Sequence, residues 1–215
     1  MLALAQSRRW SRAGRFSAHP TLLARTLSAT PKPTAAQGSN MNIFFLGYSP
    51  AACASEQCDI HVVKMILETM QMLCTAVHCS MSPVIFPCPM YQPTHVGHCS
   101  ARWVRHSLKH FQWTIEHGLA LCDEYTRRYG KRHKCHDMYL ALKPMTLIFA
   151  EQNFDQRKVA KVDIPAGLTF IVLAINDDVF DDHAAHEDGQ LLGVRTYRNY
   201  YKGKESTMKR KMTWR

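Results

Sequence analysis

The chain has 215 residues and a formal net charge of +10, and 46% of its residues are hydrophobic. This length suits one domain with an extension, and the hydrophobic content is sufficient for a packed core. The positive charge favours a polyanionic partner, most simply nucleic acid. No apolar run approaches the roughly 20 residues of a membrane span, so we expect no membrane partner.

Residues 1–40 have the composition of an organelle transit peptide followed by a linker. The first acidic residue of the chain is Glu56, and Arg25 precedes a segment, RTLSAT, that resembles a mitochondrial processing site. TPKPTAAQGSN, which follows, is typical of a flexible linker. We therefore predict a disordered leader and a mitochondrial matrix protein; a basic tail without a targeting role is the alternative. No secretory signal is present, so the eight cysteines are expected to be free thiols.

From residue 41 onward the pattern predicts a single, compact, mainly helical domain over 41–215 with short extended segments. NIFFLG is a strand or a buried extended entry segment. Helix one is predicted over about 56–78, because apolar residues from Val62 to Val77 recur at spacings of three and four. At that periodicity His61, Lys64 and Glu68 share the opposite face.

The rest of the chain is predicted as loops, two further helices and ambiguous extended segments. A proline-rich loop leads to helix two over about 100–129, for which Gly130 is a suitable C-terminal cap. A shorter helix is expected over 136–143. MTLIFAEQ and GLTFIVLAI resemble strands or buried loops, NDDVFDDHAAHEDG is expected to be exposed, and the C-terminal end is basic with interleaved aromatic residues.

Histidine and cysteine side chains suggest one kind of site, for zinc. Cys58 and His61 are three residues apart on helix one, and His95 and His98 lie in the loop. These are suitable zinc ligands, but they lack the paired spacing of a structural zinc site. We therefore expect no cofactor, with zinc as the exception to be checked.

Basic and aromatic side chains suggest a second kind of site, for nucleic acid. Arginine and lysine neutralise phosphates, and aromatic rings stack on unpaired bases. The alternative is a solvated basic surface with no ligand. The candidates on helix two and at the C-terminal end are Arg102, Arg105, Lys109, Arg195, Arg198, Tyr200, Lys202 and Lys204.

The polar face of helix one suggests a third kind of site, for acid–base or Schiff-base chemistry. Lys64 and Glu68 are one helical turn apart, and His61 adds a group that titrates near neutral pH. An ordinary surface ion pair is the alternative. We predict that this face borders a pocket and not open solvent.

The segment MNIFFLGYSPAACASEQCDIHVVKMILETMQMLCTA resembles the opening of a family of small, mostly uncharacterised phage and bacterial proteins. The family pattern is close to M-N-I-F-x-L followed by C-D-x-H-V-V-K-M-I-L-E. The resemblance continues in THVGHCSARW, EYTRRYGKRHK and YRNYYKGKE, and spans about 41–215. Gly97 and Cys99 depart from the pattern, which has Asn and Pro there.

The order of these features is also similar to that of the pyrimidine-dimer DNA glycosylases. That resemblance implies a catalytic Glu68 on the first long helix, a contribution from His98 and a basic, aromatic C-terminal segment. The nucleophile of that family is the N-terminal amine. Here such an amine requires processing next to Met41 or Asn42, unless Lys64 supplies the amine instead.

These observations together predict a DNA-processing enzyme, most concretely a base-excision DNA glycosylase/lyase. Glu68 would stabilise positive charge on the sugar, and His61 would move or orient a proton. One alternative is a non-enzymatic nucleic-acid-binding protein of the organelle. Another is a metal-dependent hydrolase that uses His61, His95 and His98.

Overall fold

The computed structural model describes residues 41–164 and 168–215, and the predicted leader over 1–40 lies outside the described residues. The described part is mainly helical, as predicted, with four short strands in two antiparallel pairs. In chain order the elements are α1 (Pro50–Ser55), α2 (Asp59–His78), α3 (Cys99–Val104), α4 (Leu108–Tyr129), α5 (His136–Leu142), a 3-10 helix (Gln156–Lys158), β1 (Val159–Ile164), β2 (Leu168–Val172), α6 (Asp177–His183), β3 (His186–Glu187), β4 (Gln190–Leu191) and α7 (Gly193–Thr207).

The core forms around α2 and α4, the two longest helices. The predicted apolar stripe of α2 is confirmed, because its members from Val62 to Val77 are all buried. The ring of Tyr139 in α5 packs so closely on α4 that a Cβ at Gly118 would lie 2.0 Å from it. The hydroxyl of Tyr139 donates to the Ile66 carbonyl of α2 at 2.6 Å, which fixes all three helices together.

Residues 41–46 form a buried segment without regular secondary structure, so NIFFLG is a buried entry segment and not a strand. The ring of Phe45 lies 5.0 Å from the rings of both Trp103 and Trp113. Aromatic pairs of this kind add to the stabilisation that burial alone provides. The segment therefore joins the core through its side chains and not through a sheet.

Several predicted boundaries are wrong. Helix one corresponds to α2 and ends at His78 as predicted, but it begins only at Asp59, and Ser49 caps a separate helix, α1, that was not predicted. Helix two is two helices, since the hydroxyl of Ser107 accepts a hydrogen bond from the His110 amide and starts α4 there. Residues 145–152 contain no strand, whereas GLTFIVLAI contains strand β2, as predicted. The acidic stretch is mostly exposed, as predicted, and contains helix α6. The predicted cap is confirmed: Gly130 has the left-handed φ of 64°.

The expectation that no segment of the chain is apolar and long enough to span a membrane is wrong for helix α2. Its 20 residues meet both requirements. However, 67% of the apolar stretch is buried inside the domain, and buried core helices pass the same test. The length and hydropathy of α2 therefore follow from its place in the core.

Arg128 of α4 is the centre of a buried ion network at the start of α2. Its side chain is 1% exposed, and its Nη1 lies 3.2 Å from Oδ1 of Asp59, which is 6% exposed. The same side chain reaches Glu124 at 2.9 Å and the carbonyls of Gln57 and Ser55 at 2.7 and 2.9 Å. It thereby ties α1, α2 and α4 together.

Candidate active site

Glu68 lies on the face of α2 that the sequence singled out, and its side chain is 13% exposed. Its Oε1 is 2.9 Å from Nζ of Lys64, while Oε2 is buried and has no hydrogen-bond partner among residues 41–164 and 168–215. Burial raises the pKa of Glu68 above its ordinary value, although Lys64, the main-chain amide of Asn42 and the charge of His95 act in the opposite direction. This carboxyl group is therefore partly desolvated, and carboxyl groups with perturbed pKa values are candidates for functional sites.

The backbone of Asn42 is held beside Glu68 by the Asn42 side chain. Its Nδ2 donates to the Ala174 carbonyl at 2.9 Å, and its Oδ1 accepts from the Tyr197 hydroxyl at 2.9 Å. Tyr197 is fully buried in α7. The Asn42 side chain is thus attached to the Ala174 carbonyl and to α7, and the main-chain amide of Asn42 is one of the groups that lower the pKa of Glu68.

His95 lies in the loop that precedes α3, and this loop is attached to α2 through Thr94. Thr75 of α2 accepts a hydrogen bond from the Thr94 amide and donates one to the Thr94 carbonyl, both at 3.1 Å. His95 has a φ of 50°, in the left-handed region that residues other than glycine seldom occupy. Such strained residues cluster at functional sites. The Nδ1 of His95 lies 2.8 Å from the Thr94 hydroxyl.

His98 lies at the start of α3 and caps that helix, since its Nδ1 accepts a hydrogen bond from the Ser100 amide at 3.2 Å. Burial lowers the pKa of His98 to about 4, with smaller contributions from His95 and Arg102. His98 is therefore neutral near pH 7, and its immediate role is to position the loop that carries His95.

His61 lies away from Glu68. Seven residues separate the two, which corresponds to about 10 Å along the helix. The His61 ring stacks on Phe44 at 4.9 Å, and its Nδ1 lies 2.7 Å from the Tyr201 hydroxyl. Burial, with the charges of Lys204 and Lys64, lowers the pKa of His61 to about 4. The predicted polar face is therefore divided, with His61 packed into the core beside α7.

Replacing Tyr201 by Phe is expected to destabilise the fold by about 1 to 3 kcal/mol, the usual cost of unsatisfied buried polar groups. The Tyr201 hydroxyl accepts from the Cys58 amide at 2.8 Å as well as bonding His61, so both would lose their partner. Urea unfolding measures the loss. Tyr200→Phe is the matched control, and an equal loss in both variants would contradict this role for Tyr201.

Because several histidine rings are buried, we expect the free energy of unfolding to decrease in mild acid. Their pKa values lie below the ordinary 6.5, so the unfolded chain takes up protons at a pH at which the folded chain does not. Stability is therefore complete above about pH 6.5 and falls as the pH decreases toward 4, by at least about 2 kcal/mol in total at pH 5. Urea unfolding at pH 7.5 and pH 5 measures it, and equal stability would contradict the burial of these rings. The pKa is lowered to about 4 in His61, His98 and His117 and to about 3 in His110.

The predicted phosphate ligands differ in their accessibility. Arg105 is only 7% exposed, and its Nη2 donates to the Val96 carbonyl at 2.6 Å, so this side chain supports the loop before α3. Nε of Arg198, on the exposed side of α7, donates to the Leu46 carbonyl at 2.7 Å. Lys204 lies 5.0 Å from the ring centre of Tyr200. The side chains that are open to a ligand are those of Lys109, Arg195 and Lys202.

The predicted metal ligands do not come together as a set. Within residues 41–164 and 168–215, no group of three or more His, Cys, Asp or Glu side chains is placed to hold a metal ion. Cys58 is buried at the start of α2, and His61 is occupied by Tyr201. The zinc hypothesis therefore gains no support from the described residues.

Two cavities of about 460 Å³ each lie on the described part of the domain, and neither has Glu68 in its lining. The first lies between the C-terminal segment and α7, where Arg198, Tyr201 and Trp214 contribute to its wall. The second lies near the start of β1 and includes Phe154 and Phe170. The largely buried carboxyl group of Glu68 therefore lies outside these two cavities, and the pocket predicted around it stays a prediction.

Comparison with models of known protein families, with curated proteins and with solved structures finds no match to this chain. The two resemblances described above therefore depend on the quoted residues alone. Sequence reasoning named Asn42 only as a processing point and did not anticipate its hydrogen bonds to Ala174 and Tyr197. Thr94 and His95 lie within the quoted motif THVGHC, but the hydrogen bonds between Thr94 and Thr75 of α2 could not be predicted from residue spacing.

Proposed function

We propose that this protein is a DNA glycosylase/lyase whose central catalytic group is Glu68. The observation that carries the proposal is a largely buried carboxyl group of raised pKa beside the main-chain nitrogen of Asn42. A general acid or base needs a pKa closer to the working pH than an exposed carboxyl has. The composition of residues 1–40 adds the proposal that the enzyme works in the mitochondrial matrix.

The chemistry needs an amine that attacks C1′ of the damaged nucleotide. The glycosidic bond breaks, the base leaves with the bonding electrons and takes up a proton, and the amine loses its protons as the sugar ring opens to an imine. Glu68 would stabilise the positive charge that develops on the sugar and transfer one of these protons. Elimination of the 3′ phosphate from the imine would then complete the lyase step.

Two amines are within reach of Glu68. Cleavage of the chain before Asn42 would convert the nitrogen that lies beside the carboxylate into a free α-amine. Cleavage before Met41 would place the amine one residue further away. The second source is Lys64, whose Nζ is 2.9 Å from Oε1 of Glu68. The rigid attachment of the Asn42 side chain favours the α-amine, because attack requires a fixed geometry.

The test of this function is base release and strand cleavage on duplexes that each carry one defined lesion. The processed chain beginning at Asn42 and the full-length chain would be compared side by side. The proposal expects cleavage of at least one lesion duplex and none of the undamaged duplex. Failure of both forms on every lesion, with DNA binding intact, would favour the second candidate below.

The second candidate is a non-enzymatic nucleic-acid-binding protein, which the net charge of +10 and the exposed Lys109, Arg195 and Lys202 favour. Replacing these three side chains by Gln is expected to weaken DNA binding. The slope of log affinity against log salt should decrease by about 0.9 for each phosphate that the variant no longer neutralises. Lys143→Gln, on an exposed residue after α5, is the control. An unchanged slope in the triple variant would exclude these residues as phosphate ligands.

A further inference from the structure

The second cavity, of about 460 Å³, has walls made of aromatic rings. Phe154 and Phe170 have ring centres 5.4 Å apart at an interplanar angle of 63°. The ring of His106 lies 4.9 Å from that of Phe170 and 5.8 Å from that of Phe154. A volume of this size falls within the range of small-ligand sites. Three rings around one cavity favour a flat aromatic ligand, because ring faces and edges pair favourably with other rings.

Two buried polar atoms, one in the lining of this cavity and one on a side chain next to Phe154, have no hydrogen-bond partner among the described residues. Nδ1 of His106, which lines the cavity, is buried without a hydrogen bond. Nε of Arg102 is also buried without a hydrogen bond among the described residues. The Arg102 guanidinium lies 5.6 Å from the centre of the Phe154 ring. Native proteins leave few buried polar atoms unpaired, so these two atoms need an explanation. A ligand that brings hydrogen-bonding groups would supply one.

The remaining lining is polar. Glu151, Gln152 and Asn153 place a carboxylate and two carboxamides beside the aromatic walls, and Lys161 adds a positive charge. Carboxamides pair with the edges of nucleobases through a donor and an acceptor at once. Lysine provides a charge for a phosphate.

We propose that this cavity binds a nucleobase with its attached phosphate, either as an extruded base of a DNA strand or as a free nucleotide. The ring would stack against Phe154, and its edge would pair with Gln152 or Asn153. Glu68 is absent from the lining, so the cavity would bind a base whether or not Glu68 is catalytic. The two proposals can therefore fail separately.

The test uses the full chain and two sets of probes. The first set is the four deoxynucleoside monophosphates, whose binding is measured by calorimetry. The second is single-stranded and duplex oligonucleotides that contain 2-aminopurine, whose fluorescence reports stacking of that base. Phe154→Ala is expected to weaken binding about tenfold or more, since stacking of one base on an aromatic ring has an effect of this size. Phe86→Ala, at a half-exposed ring outside the cavity, is the control and should leave binding unchanged.

The outcomes distinguish the sources of the base. An effect of Phe154→Ala on the monophosphates alone assigns a free nucleotide, and an effect on the oligonucleotides assigns a base of the strand. Asn153→Ala, at an exposed position, should change the relative affinities of the four bases about fivefold even if Phe154→Ala does not fold. Glu68→Gln should change none of these affinities. The proposal would be overturned if the unaltered chain bound none of the probes. It would also be overturned if Phe154→Ala and Asn153→Ala both bound every probe as tightly as the unaltered chain does.

Discussion

Replacing Glu68 by Gln is expected to lower the rate of base release by about 100-fold or more, the usual effect of removing an acid–base or electrostatic group. Gln keeps the shape of Glu but cannot carry the negative charge or transfer a proton. The side chain is 13% exposed and its Oε2 has no hydrogen-bond partner, so the substitution removes few stabilising interactions. DNA affinity should stay the same, because Glu68 contributes no positive charge to phosphate binding. Single-turnover kinetics with one lesion duplex measure the rate.

The control for this variant is Glu116→Gln, which makes the same chemical change at an exposed position of α4. It should leave the rate and the stability unchanged within about 0.5 kcal/mol. If Glu68→Gln cleaves at the rate of the unaltered protein, Glu68 is only the partner of Lys64 in an ordinary helix pair. Equal losses in both variants would point to a general effect of charge and not to a site at Glu68.

Replacing Arg128 by Met is expected to destabilise the fold by about 3 to 5 kcal/mol, because it leaves the buried carboxylate of Asp59 without its buried cation. The carbonyls of Gln57 and Ser55 would lose donors at the same time. Asp59 keeps a hydrogen bond from Thr213 at 2.8 Å, which limits the loss. Urea unfolding at pH 7 gives the difference in free energy.

Arg127→Met is the matched control for this prediction. Arg127 is the neighbouring residue and pairs with the same Glu124 at 2.7 Å, but its side chain is 56% exposed. An exposed pair of this kind contributes roughly 0 to 1 kcal/mol. Comparable losses for Arg127→Met and Arg128→Met would show that burial of the network does not determine its strength.

The spacing of apolar residues along the sequence was sufficient to predict the mainly helical fold class and the buried face of α2. The spacing of apolar residues from Val62 to Val77 is a local property, and the α2 core follows it. The break between α3 and α4 has a local signal as well, the N-cap Ser107, but the continuous apolar stripe across it concealed the break. Helix length was therefore overestimated where a cap residue interrupted a regular pattern.

The site was only partly predictable because its contacts are distant in sequence. Glu68 and Lys64 are one turn apart, so their pairing could be anticipated. His61 was assigned to the same face, but its position is determined by Tyr201, 140 residues away. Similarly, Asn42 is held by the Tyr197 hydroxyl, 155 residues away. Periodicity places a residue on a helix face but does not identify which element packs against that face.

Borohydride trapping on lesion-containing DNA tests the central claim most directly, since it reduces an imine between protein and sugar to a stable bond. The processed chain beginning at Asn42 and the full-length chain would be treated with the same duplexes, and the adduct would be located by peptide mass spectrometry. The account predicts an adduct at the α-amine of the processed chain, or at Lys64, whose Nζ lies 2.9 Å from Glu68. It also predicts that Glu68→Gln forms the adduct more slowly. An absence of adduct on every lesion duplex, or an adduct at a lysine remote from Glu68, would contradict the account.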